Sequence, residues 1–149
     1  VTISNGIVWS ADYSTMYYID TALDTVRAYD YDIDTGNISN ERVAVEHQIG
    51  DGHFDGMSID EEGMLWIAVF DGWGVQRYNP DNGALLRHIR LPVRQTTSCA
   101  FGGENLDELY VTSAVYGMDD EALQGQPMAG ALIKIDPGVR GVPGFSYGG

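Results

Sequence analysis

Three stretches of this chain can be laid over one another. The first runs Asn5-Gly6-Ile7-Val8-Trp9-Ser10, then Tyr17-Tyr18-Ile19-Asp20, then Val26-Arg27-Ala28-Tyr29-Asp30 and Thr35-Gly36. The second runs Asp55-Gly56-Met57-Ser58-Ile59-Asp60, then Leu65-Trp66-Ile67-Ala68, then Val75-Gln76-Arg77-Tyr78-Asn79 and Asn82-Gly83. The third runs Ser98-Cys99-Ala100-Phe101-Gly102-Gly103, then Leu109-Tyr110-Val111-Thr112, then Leu132-Ile133-Lys134-Ile135-Asp136. The offsets are 50 and 43 positions, with roughly four short strands per unit, the period of β-propeller blades. A blade cannot bury both faces of its own sheet, so it needs a neighbour on each side.

The segments inside each unit support this reading. Val26–Tyr31, Met64–Val69, Val75–Tyr78, Leu85–Ile89, Glu108–Thr112 and Ala131–Ile135 are short and rich in β-branched and aromatic residues, as is Met16–Ile19. They are bounded by turn residues such as Asp34-Thr35-Gly36, Asn79-Pro80 and Asp81-Asn82-Gly83, and a period of two prevails. Only Asp119 to Gln124, in a long connection, reads as helix. The chain is therefore expected to be all-β, with approximate blades 5–50, 54–95 and 96–149. Three blades leave two sheet faces open, whereas closed propellers have about four to eight. The sequence starts at Val1 rather than at a methionine. The expectation is a longer parent chain, with two mutually completing copies as the alternative.

Charge narrows the partners. Twenty-two acidic residues face 8 basic ones, a formal net charge of −14. Such a field repels nucleic acid and anionic membrane, and favours cations. No apolar run approaches the roughly 18 residues of a membrane span. One cysteine, Cys99, allows neither an internal disulfide nor a cysteine zinc cluster. That cysteine, together with the lack of a visible leader, points to the cytoplasm.

In a propeller, equivalent positions of the innermost strands converge on the central channel. Asn5 and Asp55 are equivalent, and each precedes a glycine. An amide oxygen and a carboxylate are hard ligands suited to Ca²⁺, Mg²⁺ or Mn²⁺, and a third carboxylate would be needed. The same dipeptides are also ordinary turn signals, and spacing alone leaves both readings open. His53, two residues before Asp55, is a candidate substrate contact at the site mouth or a solvent-facing loop residue. His47 and His88 have no partner at metal spacing, and no His-Glu-x-x-His or Gly-x-Ser-x-Gly occurs. Asp30, Asp32, Asp34 and Glu41 imitate an EF-hand loop, but Thr35 stands where its glycine belongs. A hairpin turn with solvated acids accounts for them better. Cys99 reads as a buried, inert thiol. Thr97 and Ser98 either hydrogen-bond a substrate or end a strand, and Trp73 and Tyr116 either border a pocket or pack between blades. Gly72-Trp73-Gly74 reads as a hairpin, and Asn37-Ile38-Ser39 as a glycosylation sequon relevant only to a secreted protein.

Several blocks together resemble the SMP-30/regucalcin/gluconolactonase family, including its luciferin-regenerating branch. They are Ser4–Ser10 with Tyr17–Asp20, Phe54–Gly63 with Leu65–Ala68, and Leu91-Pro92-Val93 with Thr96–Gly103. The resemblance covers nearly the whole chain and matches the family's C-terminal half. It implies a six-bladed propeller about twice this long, with one divalent cation in the channel (Ca²⁺, Zn²⁺, Mn²⁺ or Mg²⁺). The implied ligands are a glutamate from the N-terminal half, an asparagine falling on Asn5 and an aspartate falling on Asp55. Phe54 departs from the proline that commonly precedes the aspartate. The implied activity is hydrolysis of a small-molecule lactone, with Asp55 also acting as general base. The lone half is not expected to be a competent enzyme, and the missing N-terminal half, possible as a separate chain, is its first expected partner. A cation-binding regulatory protein without turnover and a non-catalytic interaction module are the alternative readings.

Overall fold

The computed structural model describes residues 1–48 and 50–144. Eleven strands form three consecutive antiparallel sheets. The first sheet contains β1 (Ser4–Trp9), β2 (Thr15–Asp20), β3 (Thr25–Tyr31) and β4 (Ile38–Glu46). The second contains β5 (His53–Ile59), β6 (Leu65–Phe70), β7 (Gly74–Tyr78) and β8 (Leu85–Arg90). The third contains β9 (Thr96–Gly102), β10 (Glu108–Ser113) and β11 (Ile133–Ile135), with the helix α1 (Asp120–Gly125) between the last two. In every sheet each strand pairs with the one before it in sequence. This meander repeated three times is a partial β-propeller.

The helix begins one residue later than the sequence predicts. Asp119 is its N-cap, and its carboxylate accepts from the Ala122 N–H. β11 is two residues shorter than its apolar run. β4 is the strand that periodicity does not reveal, because Ile38–Arg42 and most of its later residues face solvent, so neither face carries an apolar row.

Two apolar layers hold the sheets together. Between the first and second sheets lie Ile19, Val26, Val45, Phe54, Leu65, Ile67, Val69 and Tyr78. Between the second and third lie Trp66, Ala68, Val75, Val93, Cys99, Leu109 and Val111. Alternate residues of β6 serve alternate layers, which is why its sequence is an unbroken apolar run. The turn after β5 is organised by Asp60. Its Oδ1 accepts from the Glu62 and Met64 N–H groups at 3.0 and 2.9 Å, and its Oδ2 from Trp66 Nε1 and Arg77 Nε at 2.9 and 2.8 Å. Among the described residues, no helix is long and apolar enough to cross a membrane.

Candidate metal centre

β1, β5 and β9 are the facing strands of the three sheets, and each carries an irregularity near its start. The β1–β2 register slips between Ser4 and Ile7, and the β5–β6 register between Phe54 and Met57. The β9–β10 register slips at Thr112/Ser113, opposite Thr97. An extra residue in one strand of a pair is a bulge, which re-aims side chains. Asn5-Gly6 and Asp55-Gly56 therefore lie inside strands and do not form hairpin turns.

Each glycine has a steric reason. A Cβ on Gly6 would lie 2.5 Å from Met57 Cβ, and one on Gly56 would lie 2.2 Å from Ser98 Oγ. Only a residue without a side chain lets the next facing strand come this close. That approach brings Asn5 and Asp55, from two different sheets, to the same end of the molecule.

The two side chains are neighbours there, and the Asn5 amide favours the charged form of the Asp55 carboxyl. Asn5 Nδ2 donates to Thr21 Oγ1 at 3.0 Å, and Thr21 Oγ1 donates to the Phe54 carbonyl at 2.7 Å. With its amide nitrogen held by Thr21, Asn5 has its carbonyl oxygen with which to meet a cation. Burial pushes the Asp55 carboxyl above its ordinary range, and the Asn5 hydrogen bond opposes this only in part. A partly buried carboxylate beside an oriented amide oxygen fits a hard divalent cation, which would offset the desolvation. Two donors are not a full coordination sphere. Among the described residues, no group of three or more His, Cys, Asp or Glu side chains is placed to hold a metal.

His53 is exposed, and its Nδ1 lies 2.7 Å from Asp24 Oδ2. The other oxygen of Asp24 accepts from the Phe54 N–H at 3.1 Å. Asp24 therefore fixes the approach to β5, from a left-handed backbone position (φ 49°). Neither Thr21 nor Asp24 carries a sequence motif; only their place after β2, next to the start of β1, could have singled them out.

The weaker sequence signals find structural roles. Asp30 binds Asn40 Nδ2 and Arg42, Asp32 accepts from the Asp34 and Thr35 N–H groups, and Glu41 pairs with Arg27. These are hairpin contacts between β3 and β4. Cys99 is buried, its Sγ lies 3.2 Å from the Trp66 carbonyl, and burial pushes its thiol up to about 12, so it is not a nucleophile near neutral pH. The Thr97 and Thr112 hydroxyls bond each other at 2.7 Å. Trp73 ties the β6–β7 turn to the segment before β9, donating to the Arg94 carbonyl and accepting from the Leu91 N–H.

Comparison with known proteins agrees with this architecture. The family profile described as SMP-30/Gluconolactonase/LRE-like region matches residues 1–115. Regucalcin of Danio rerio is 47% identical over 150 aligned residues, covering 100% of this chain and 51% of its own length. The structure of a luciferin-regenerating enzyme superposes with a TM-score of 0.87 at 42% identity, covering 97% of this chain and 48% of that one. Regucalcin from Agrobacterium tumefaciens, described as a calcium-binding protein, gives a TM-score of 0.84 at 31% identity, covering 93% and 46%. The chain spans about half the length of these relatives. By the profile match over most of its length, the chain belongs to the SMP-30/gluconolactonase/LRE-like family.

Proposed function

We propose that the protein carrying this chain hydrolyses a lactone, with Asn5 and Asp55 as two oxygen ligands of one divalent cation on the axis of a six-bladed propeller. The observation that carries this reading is the contact between Asn5 and Asp55, made from equivalent bulges of two adjacent sheets. Membership of a family that includes gluconolactonases supports the reaction class. Blades 5–50, 54–95 and 96–149 would be half of the ring. The other half, in the same chain or a separate one, would bring the remaining ligand, a glutamate. The two donors suit Ca²⁺, Mg²⁺ or Mn²⁺, and Zn²⁺ is the further candidate. The buried, unpaired Cys99 is consistent with the cytoplasm.

A cation held there would supply Lewis acidity toward the lactone carbonyl. Asp55, as general base, takes a proton from the attacking water. The water oxygen bonds to the carbonyl carbon, the ring C–O bond breaks, and the leaving ring oxygen takes the proton to give a hydroxy acid. Asn5 does not titrate; it orients Asp55 and is itself oriented by Thr21. His53, held through Nδ1 by Asp24, presents Nε2 as a substrate contact.

The test is chelator-treated complete protein assayed with glucono-δ-lactone and each cation in turn. Cation-dependent turnover is expected, with Asp55→Asn lowering kcat at least ~100-fold, the scale of a lost general base. Undiminished turnover in Asp55→Asn would overturn the assignment. The Agrobacterium relative's description as calcium-binding favours a second reading, cation binding without turnover. A cation-dependent rise in Tm, lost in Asp55→Asn and unaccompanied by lactone hydrolysis, would select it.

A further inference from the structure

The slip in β9 completes a pattern set by β1 and β5. Ser4 to Ile7 is three steps against two on β2, from Asp20 to Tyr18. Phe54 to Met57 is three steps against two on β6, from Val69 to Ile67. Thr96 to Cys99 is again three against two on β10, from Ser113 to Val111. The residues taken up by the three bulges are Asn5-Gly6, Asp55-Gly56 and Thr97-Ser98. By register, Thr97 stands where Asn5 and Asp55 stand, and Ser98 stands where the two glycines stand. This is one position away from the overlay of the sequence repeats, which set Ser98 against Asp55.

A serine at that place brings a hydroxyl next to Asp55. Gly56 follows Asp55 directly, and the Cβ that Gly56 lacks would lie 2.2 Å from Ser98 Oγ. The Ser98 hydroxyl therefore rests on the backbone of the residue joined to Asp55. Both flanks of its bulge are fastened to the second sheet. Thr96 Oγ1 lies 2.9 Å from the Val69 carbonyl and 2.7 Å from the Gly74 carbonyl, and Cys99 Sγ lies 3.2 Å from the Trp66 carbonyl. Within the bulge, the Thr97 hydroxyl is tied to Thr112 Oγ1 at 2.7 Å. Ser98 itself is exposed, and its hydroxyl has no hydrogen-bond partner among the described residues.

A hydroxyl held by anchored neighbours and free to donate is a preorganised donor. It carries no charge, so it does not compete with Asp55 for the proton of the attacking water, and its hydrogen bond strengthens as the acceptor gains negative charge. We propose that Ser98 donates a hydrogen bond to the substrate oxygen that becomes negative during the reaction. Resting on the lactonase reading, that atom is the lactone carbonyl oxygen. As the water oxygen bonds to the carbonyl carbon, negative charge collects on the carbonyl oxygen, and Ser98 keeps its own proton throughout.

The test begins with steady-state kinetics of the complete protein on glucono-δ-lactone, with the cation that supports turnover. Ser98→Ala is expected to lower kcat ~100-fold, the scale of one lost oxyanion donor, with KM and cation affinity within about twofold of the parent. Ser98→Thr keeps the hydroxyl and should stay within about threefold of the parent. Ser98→Gly installs the residue of the other two bulges; it should repeat the loss, and it keeps the test valid should Ser98→Ala fail to fold. An unchanged kcat in Ser98→Ala, an equal loss in Ser98→Thr, or a roughly tenfold loss of cation affinity in Ser98→Ala overturns the assignment. Methylphosphonate, a tetrahedral oxyanion that cannot be hydrolysed, separates the donor from the reaction. By calorimetry with Ca²⁺, Ser98→Ala should bind it at least about fivefold more weakly than the parent and Ser98→Thr should not. Should the parent protein turn over no lactone, the lactonase reading fails and methylphosphonate still decides Ser98: equal binding by parent and Ser98→Ala, or binding by neither, overturns the donor.

Discussion

The second sheet and the first have the same plan and different surroundings. β6 is buried on both faces from Leu65 to Val69, because the first sheet covers one face and the third covers the other. β2, at the corresponding place in the first sheet, buries only Tyr17, Ile19 and Asp20. Ile7, on the facing strand of that sheet, is 46% exposed. Burial in this fold is a property of having neighbours more than of the strand itself, so matched substitutions in the two sheets should cost different amounts.

The largest contrast is in the layers. Trp66→Ala removes a fully buried ring and its bond to Asp60, and is expected to cost about 4 kcal/mol. Tyr18→Ala, in the half-covered β2, should cost about 1 kcal/mol. Urea denaturation of the 149-residue chain measures both, and equal costs would break the comparison. The next contrast is between ion pairs. Asp60→Ala leaves Trp66 Nε1 and the Glu62 and Met64 N–H groups without their acceptor and takes from Arg77 one of its two carboxylates, the other being Glu62, at about 3 kcal/mol, since the Asp60 side chain is 0% exposed. Glu41→Ala, which opens the exposed pair with Arg27, should cost less than about 1 kcal/mol. A large loss in Glu41→Ala would show the first sheet to be better covered than its exposure indicates.

The smallest contrast is between outer strands. β4 faces water, whereas His88 on β8 is half-buried, with a buried Nε2 that has no partner among the described residues. Burial, and secondarily Arg90 and His47, lowers its pKa from 6.5, against a Gly72 backbone hydrogen bond that raises it. The folded chain therefore prefers the neutral ring. Its contribution is present above the unfolded pKa and lost as pH falls through the lowered folded value. Between about pH 7.5 and 5, the Tm of His88→Gln should fall less than that of the parent; parallel falls would remove His88 from the account.

Much of this was legible in the sequence. The repeat is visible because β2, β3, β6, β7 and β10 each keep at least one buried row, β6 two. β4 was not, because Ser39, Asn40, Glu41 and Arg42 lie on an edge with no layer to fill. The position of the candidate ligands was legible only through the repeat, since Asn5 and Asp55 are 50 residues apart. Their local geometry was not, because a turn and a bulge use the same Asn-Gly and Asp-Gly pairs. What separates the two is the crowding of Gly6 against Met57 and of Gly56 against Ser98, contacts between sheets that no local pattern encodes. Of the concavity between the β6–β7 turn and the β10–β11 excursion, only Tyr116 was singled out. Asp71, Gln95, Tyr116 and Gln126 lie on three connections and share no spacing.

Each sheet is completed by one continuous stretch of chain. A backbone cut between Arg90 and Thr96 would sever no strand pair. The separated pieces would recognise each other through matching oily flanks, as pressed tiles do, without exchanging a strand. Proteolytic nicking there should leave a particle of unchanged mass in native gels that separates only on denaturation. A propeller of this plan is thus suited to being split between sheets and put back together by mixing.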